Sequence, residues 1–276
     1  MSLTWYGDAP PPPPRTLGLR DWWRVGRRGL PLALVTFGCL GVLLLVRLVE
    51  RPVHGTARPW TPWITRFVCH AAFVVLGMRR LQVGRPDSSS AASIAVSNHV
   101  SWLDIFALNA GDPVYFVAKS EVASWPGIGW LARATGTVFI RRNRGDASQQ
   151  AETLRARVDA GHRLLLFPEG TSTDGSSVVP FRSSLFAAFL GADRASGLAV
   201  QPITLAYTAP PDQDPRFYGW WGDMGFGAHL LHVLAAPRQG SVTVTYHTPI
   251  PVAETRDRKA LARRAEDAVR AGLGSG

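Results

Sequence analysis

His99 and Asp104 stand five residues apart in the stretch Ser97-Asn98-His99-Val100-Ser101-Trp102-Leu103-Asp104. Near neutral pH an imidazole is the side chain best suited to take a proton from a hydroxyl. A carboxylate on the ring's other nitrogen fixes its tautomer and stabilises the imidazolium that forms. Five residues along an ideal helix turn the direction by roughly 500°, which leaves the two side chains about 140° apart. The pair can therefore meet only where His99 precedes a helix and Asp104 lies in its first turns. The flanking residues allow this, because 93–97 reads as a short apolar strand and 102–108 as the start of a helix. Ser97 and Ser101 are expected to cap that helix start. Taken alone, the pair fits a structural histidine beside a solvated or capping aspartate better than it fits a base.

A second chemical stretch, Phe167-Pro168-Glu169-Gly170-Thr171-Ser172, follows the apolar run Leu164-Leu165-Leu166. A buried strand thus ends in a turn, since proline stops the ladder and glycine permits positive φ or close approach. A glutamate at such a strand end is badly placed for packing and well placed to meet a ligand. There is no Gly-x-Ser-x-Gly elbow, so no acyl-serine is implied.

Together these stretches resemble the glycerolipid (1-acylglycerol-3-phosphate) acyltransferase family, whose signatures are an N-H-x-x-x-x-D block followed by an F-P-E-G-T block. Two further family blocks have counterparts in the right order, Gly136-Thr137-Val138-Phe139-Ile140-Arg141 and Val200-Gln201-Pro202-Ile203. The resemblance implies transfer of a fatty acyl group from a thioester to a lipid hydroxyl. His99 would be the base and Asp104 its orienter. Arg141 would hold a phosphate in its guanidinium fork, unless it is a solvated arginine beside Arg142 and Arg144. Glu169, Gly170 and Thr171 would contact the acceptor, and Arg182 would contact an anion. Lys119 could reach the same edge or lie on the surface. His162, His229, His232 and His247 read as structural or surface residues. The donor would be acyl-CoA or acyl carrier protein, used as a substrate, with no further cofactor.

One departure bears on the acceptor. Family members that act on lysophosphatidic acid commonly carry arginine after Glu-Gly-Thr, where this chain has Ser172. Thr173-Asp174-Gly175 and Trp220-Trp221-Gly222-Asp223-Met224 are similar to the branch that acylates lyso-ornithine lipid. Asp223 could pair with a cationic headgroup there, while Arg141 and Arg182 keep a phosphate acceptor open. A thioester or lipid hydrolase and a non-catalytic lipid-binding protein on the same fold are the alternatives.

The elements that must position these residues read as an α/β domain with a mostly parallel sheet flanked by helices. Strands are expected at 81–84, 93–97, 114–118, 138–141, 164–167, 199–207 and 241–247. Helices are expected at 102–109, 128–134, 148–160, 183–192 and 258–271. His99, Lys119, Arg141 and Glu169 each follow a strand, so they would converge on one sheet edge.

Ahead of this domain (81–276), residues 28–80 read as a membrane-associated helical hairpin and 1–27 as a disordered basic, proline-rich tail; 88–90 reads as a linker. Residues 30–46 are uncharged, near the lower length limit of about 20 residues for a spanning helix. A second apolar run covers 63–77, with Trp60 and Trp63 suited to the headgroup interface. The alternative is one span plus a core helix. The hairpin reading places the catalytic domain on the cytoplasmic side of the inner membrane, with membrane lipids as partners.

The net charge of +10 is carried almost wholly by arginine. It suits an anionic membrane or a phosphorylated substrate; no nucleic-acid signature accompanies it. Cys39 and Cys69 lie in apolar stretches and imply neither a disulfide framework nor a metal site.

Overall fold

Alternation along β2 (Ala92–Ser97) sets the layers. Ile94 and Val96 enter one apolar core and Ala95 enters the other. On β5 (Leu164–Leu166) the same rule sends Leu164 and Leu166 one way and Leu165 the other, as a period of two requires. The computed structural model describes residues 4–7, 9–13, 16–87, 92–141, 147–190, 197–255 and 257–274. The expected linker at 88–90, and Arg142 and Arg144, lie outside the described residues.

Six further strands complete the sheet: β1 (Arg79–Val83), β3 (Tyr115–Lys119), β4 (Val138–Ile140), β6 (Leu198–Thr208), β7 (Ser241–Tyr246) and β8 (Ile250–Pro251). Their order is β1-β7-β6-β2-β5-β3-β4, with β8 also paired to β6. From β6 through β4 all neighbours are parallel, whereas β7 and β8 run antiparallel to β6. The expected mostly parallel sheet is therefore present, and strand ends differ from expectation by one or two residues. β8 was not anticipated, since two residues carry no alternation to detect.

Helices cover both faces. One face carries α1 (Leu19–His54), α2 (Thr61–Leu76), α3 (Leu103–Gly111) and α6 (Phe226–Ala235), which pack on one another. The other carries α5 (Ala147–Asp159) and α7 (Arg258–Leu273), with α4 (Ile128–Ala134) beside the β3–β4 connection. α6 was not expected, because one glycine and two histidines interrupt its apolar run Phe226-Gly227-Ala228-His229-Leu230-Leu231-His232. The helix expected at 183–192 is a 3-10 segment over Ser183–Phe189, and 191–196 lie outside the described residues. Its three-residue period stacks Phe186 and Phe189 on the same side, where both are buried.

The N-terminal boundaries need correction. α1 begins at Leu19, inside the stretch expected to be disordered, and runs through Pro31 and Pro52. Its start is fixed by polar chemistry that an apolar run does not report: Asp21 Oδ2 accepts the Gly18 N–H at 3.1 Å, a favourable charge at a helix N-terminus. Among the described helices α1 alone is long and apolar enough to cross a membrane, and it spans about 54 Å. α2 packs against α1 as a hairpin would, yet Cys69, Phe73 and Leu76 share one core with Leu103 and Leu165. The hairpin and the sheet domain are thus joined by a common core, and residue 81 divides β1 rather than two packing units.

Candidate active site

At the end of β2 a side chain replaces the main chain in the ladder. The Asn98 amide donates to the Leu205 carbonyl at 2.9 Å and accepts the Leu205 N–H at 2.8 Å. This ties the strand end to β6 and lets the chain turn at His99 into α3, which begins four residues later. Asp104 therefore lies in the first turn of α3, the arrangement the spacing requires.

Asp104 is fully buried and accepts four hydrogen bonds. Its Oδ2 takes His99 Nδ1 at 2.7 Å, the Val100 N–H at 2.8 Å and the Ser101 N–H at 3.0 Å. Its Oδ1 takes the Tyr207 hydroxyl at 2.6 Å. A buried carboxylate needs such donors to remain charged, and the helix start supplies two of them. The expected capping by Ser97 and Ser101 is not seen: both hydroxyls are buried with no partner among the described residues. The Asp104 carboxylate takes the N–H groups that a serine cap would have taken.

The His99 ring stacks on Phe167 with centroids 4.1 Å apart and planes at 15°. With Nδ1 committed to Asp104 and one face covered, Nε2 is the nitrogen left for a substrate. The ring remains partly exposed, as a base must.

Glu169 departs from the expected acceptor contact. It is 2% exposed, and its two oxygens are taken by the His99 N–H at 2.7 Å and the Val179 N–H at 3.1 Å. Burial pushes its carboxyl up to about 8, against the pull of those two donors and with a smaller push from Asp104. The glutamate thus fixes the backbone of the base, and the preceding proline turn is what brings it beneath His99. Gly170 adopts φ +72 and its N–H closes the turn onto the Phe167 carbonyl at 3.0 Å. Thr171 follows, half-buried, and Thr173 N–H donates to the His99 carbonyl at 2.9 Å.

The basic residues are less tightly gathered. Arg141 follows β4 at the same sheet edge and is exposed. The strand order β2-β5-β3-β4 puts it three strands from His99, roughly 14 Å at ordinary strand spacing. Lys119 ends β3 between them, half-buried. Arg182 is nearer the pair, because its N–H donates to the Pro168 carbonyl at 3.0 Å. The structure thus brings His99, Asp104 and Glu169 into contact, and leaves Arg141 and Arg182 around them without contact to the pair.

The remaining histidines are structural. His229 Nδ1 accepts the Trp102 indole N–H at 2.9 Å, and burial lowers its pKa to about 4, keeping it a neutral acceptor. That bond ties the first turn of α3 to α6. His162 stacks 4.3 Å from Tyr115, His232 lies against Phe217, and His247 meets the Thr204 hydroxyl. Tyr207 was missed by the sequence reading. Strand alternation contained the signal, since Ile203, Leu205 and Tyr207 must face the same side as α3.

An acyltransferase family profile matches residues 79–206, which include every block named above. The chain is 52% identical over 271 residues to a lyso-ornithine lipid O-acyltransferase of Rhodobacter capsulatus, covering 98% of this chain and 97% of that one. It is 38% identical to the protein of the same name from Pseudomonas aeruginosa, over 88% of this chain and 90% of that one. A 1-acyl-sn-glycerol-3-phosphate acyltransferase of Neisseria gonorrhoeae is 33% identical over 69% of this chain and 73% of its own length. The fold matches the crystal structure of the 1-acyl-sn-glycerophosphate acyltransferase of Thermotoga maritima with a TM-score of 0.63 at 18% identity, over 93% of this chain and 97% of that one. With this similarity along nearly the whole chain, the protein is an acyltransferase and belongs to the glycerolipid acyltransferase family.

Proposed function

We propose that the chain transfers a fatty acyl group from an acyl thioester to the free hydroxyl of lyso-ornithine lipid. The observation that carries the chemistry is the His99 Nδ1–Asp104 contact of 2.7 Å, set within a carboxylate whose other bonding positions are filled. His99 Nε2 takes the hydroxyl proton as the oxygen attacks the thioester carbonyl, and Asp104 stabilises the imidazolium. The tetrahedral intermediate then expels the thiolate, which takes the proton from Nε2–H. The products are the acylated lipid and the free thiol, and His99 returns to its starting state.

The acceptor is supported by the 52% identical relative and by Ser172. An arginine there would add a charge-assisted bond to phosphate, worth roughly 1.5–3 kcal/mol. Lysophosphatidic acid is the second reading, favoured by Arg182 and Arg141 at the site edge and by the Neisseria relative. The donor thiol belongs to coenzyme A or acyl carrier protein, both anionic and suited to a basic chain. α1 anchors the enzyme in the inner membrane with the site on the cytoplasmic side, where such donors are found. The apolar side chains that α1 leaves exposed, among them Leu34, Phe37, Leu45 and Leu48, support this.

The test incubates the purified full chain in phospholipid vesicles with labelled acyl-CoA or acyl carrier protein and a panel of lysolipids. Acylation of lyso-ornithine lipid well above lysophosphatidic acid is expected. The reverse preference would transfer the assignment to the phosphate acceptor, and acylation of neither would overturn both.

A further inference from the structure

The first described residues of the chain do not hang free of the site. The Trp5 N–H donates to Thr171 Oγ1 at 3.4 Å, in the turn that carries Glu169. The Trp5 carbonyl accepts the Gly222 N–H at 3.1 Å, and its ring meets the Trp221 ring edge-on at 6.4 Å. Tyr6 then donates its hydroxyl to Asp223 Oδ1 at 3.2 Å. Gly7 turns the chain back over the Trp5 ring at φ +69, where a Cβ would lie 2.8 Å from the indole. These three residues form a strap across the 220–223 loop.

That loop in turn rests on the catalytic turn. The Trp220 N–H donates to the Val100 carbonyl at 2.9 Å, next to His99. Strap, 220–223 loop and base are thereby stacked through main-chain bonds. The strap's outer side is polar: Tyr6 is 57% exposed, and Asp223 is exposed beside it. Beneath them the Trp221 indole is 2% exposed, and its N–H has no partner among the described residues. One side of the site thus holds an exposed carboxylate, with one oxygen unbonded among the described residues, beside a phenol, which together complement a headgroup carrying an ammonium.

We propose that the Trp5-Tyr6 strap and Asp223 form the headgroup subsite of the acceptor, with Asp223 taking the ammonium of a cationic amino-acid lipid and Tyr6 holding that carboxylate in place. The subsite rests on the lyso-ornithine reading above and adds the residues that select the headgroup. Asp223 and Tyr6 touch the acceptor only, so their effect falls on acceptor binding and leaves the donor untouched.

The experiment compares the full chain with D223N and Y6F, using lyso-ornithine lipid and the same lipid acetylated on its side-chain amine. For the unaltered chain, acetylation should raise the acceptor KM about tenfold, the effect of one solvent-edge charge-assisted bond. D223N should show the raised KM with both lipids and discriminate between them less than twofold. Y6F should raise the KM for the charged lipid severalfold, with kcat, donor KM and thermal midpoint unchanged. Equal discrimination by D223N and the unaltered chain would overturn the subsite while leaving the acceptor assignment standing. A D223N loss that is the same on both lipids and accompanied by a fallen thermal midpoint would reduce the strap to packing and also overturn it. An unaltered chain that acylates neither lipid would remove the acceptor assignment and the subsite together.

Discussion

Two ends of the sheet take ionisable side chains into this protein, acidic at one and basic at the other. At the carboxyl ends of β2 and β5, Asp104 and Glu169 are buried and satisfied by backbone N–H groups of Val100, Ser101, His99 and Val179. At the other end, beside the starts of β3 and β4, arginines donate to carbonyls through their terminal nitrogens, while the Nε of Arg58 and of Arg157 has no partner among the described residues. Arg58 donates to Ala134 at the end of α4 at 2.8 Å, and Arg157 donates to Gly136 at 2.7 Å while lying over the Tyr115 ring. Arg28 bonds the Leu234 and Ala236 carbonyls at the end of α6, on the carboxylate side, because β7 runs antiparallel to β6 and starts beside its end. Helix starts offer N–H groups and partial positive charge, and helix ends offer carbonyls and partial negative charge. In a parallel α/β layer those ends lie on opposite edges. The carboxylate edge holds the His99–Asp104 pair, and the arginine edge fastens the N-terminal helices. Part of the basic composition is thus structural.

If this division holds, the largest losses of activity come from the carboxylate edge. His99→Ala should lower turnover by roughly 10³-fold or more, the scale of a missing general base, with fold and membrane binding retained. Asp104→Asn should cost roughly 10²-fold, because an amide would set its own N–H groups against donors from His99, Val100, Ser101 or Tyr207. Tyr207→Phe is milder. It removes one donor from a carboxylate that keeps three, and kcat should fall about fivefold with both KM values unchanged. Steady-state kinetics with circular dichroism on each variant checks the series. Near-unaltered turnover in the His99 variant would defeat the mechanism.

The sequence reading reached the carboxylate edge further than the arginine edge for a physical reason. His99, Asp104 and Glu169 lie in local motifs at strand ends, where spacing alone restricts the geometry. The five-residue interval required a strand-to-helix junction, and the junction is there. The role of Glu169 was not legible, because its donors come from residues 70 and 10 positions away. Arg58, Arg157 and Arg28 were equally opaque, as each bonds a carbonyl between 21 and 208 residues distant. A backbone carbonyl leaves no mark in the residue type. The N-terminal strap was invisible likewise, since nothing in Trp5-Tyr6-Gly7 announces Thr171 or Asp223 as its partners.

Glu169 offers a pH test of how the carboxylate edge is built. Burial holds its folded pKa near 8, well above the ordinary value near 4.3 for an unfolded chain. The folded protein therefore binds this proton more tightly than the unfolded one, and stability from this group falls as pH rises from about 4.3 to about 8. Chemical denaturation across pH 5 to 8 should show that decline. Glu169→Gln should flatten it, while the amide's own N–H set against the His99 or Val179 N–H lowers stability by roughly 1–3 kcal/mol. Turnover should drop as well, about tenfold, because the backbone of the base loses its anchor. An unchanged pH slope in the variant would show that other groups carry the decline.

Arg58 tests the opposite edge, where the smallest effect on catalysis is expected. Its guanidinium ties the link after α1 to the last carbonyl of α4, with no path to the reacting atoms. Arg58→Gln should remove a bond to a charged donor worth roughly 1.5–3 kcal/mol, a lower thermal midpoint by several degrees for a chain of this length. Turnover at a temperature well below that midpoint should stay within twofold of the unaltered enzyme. Differential scanning calorimetry and a single-temperature rate separate the two effects. A variant with an unmoved midpoint and a tenfold lower rate would break the division, because an arginine on the fastening edge would then be acting on the chemistry at the other.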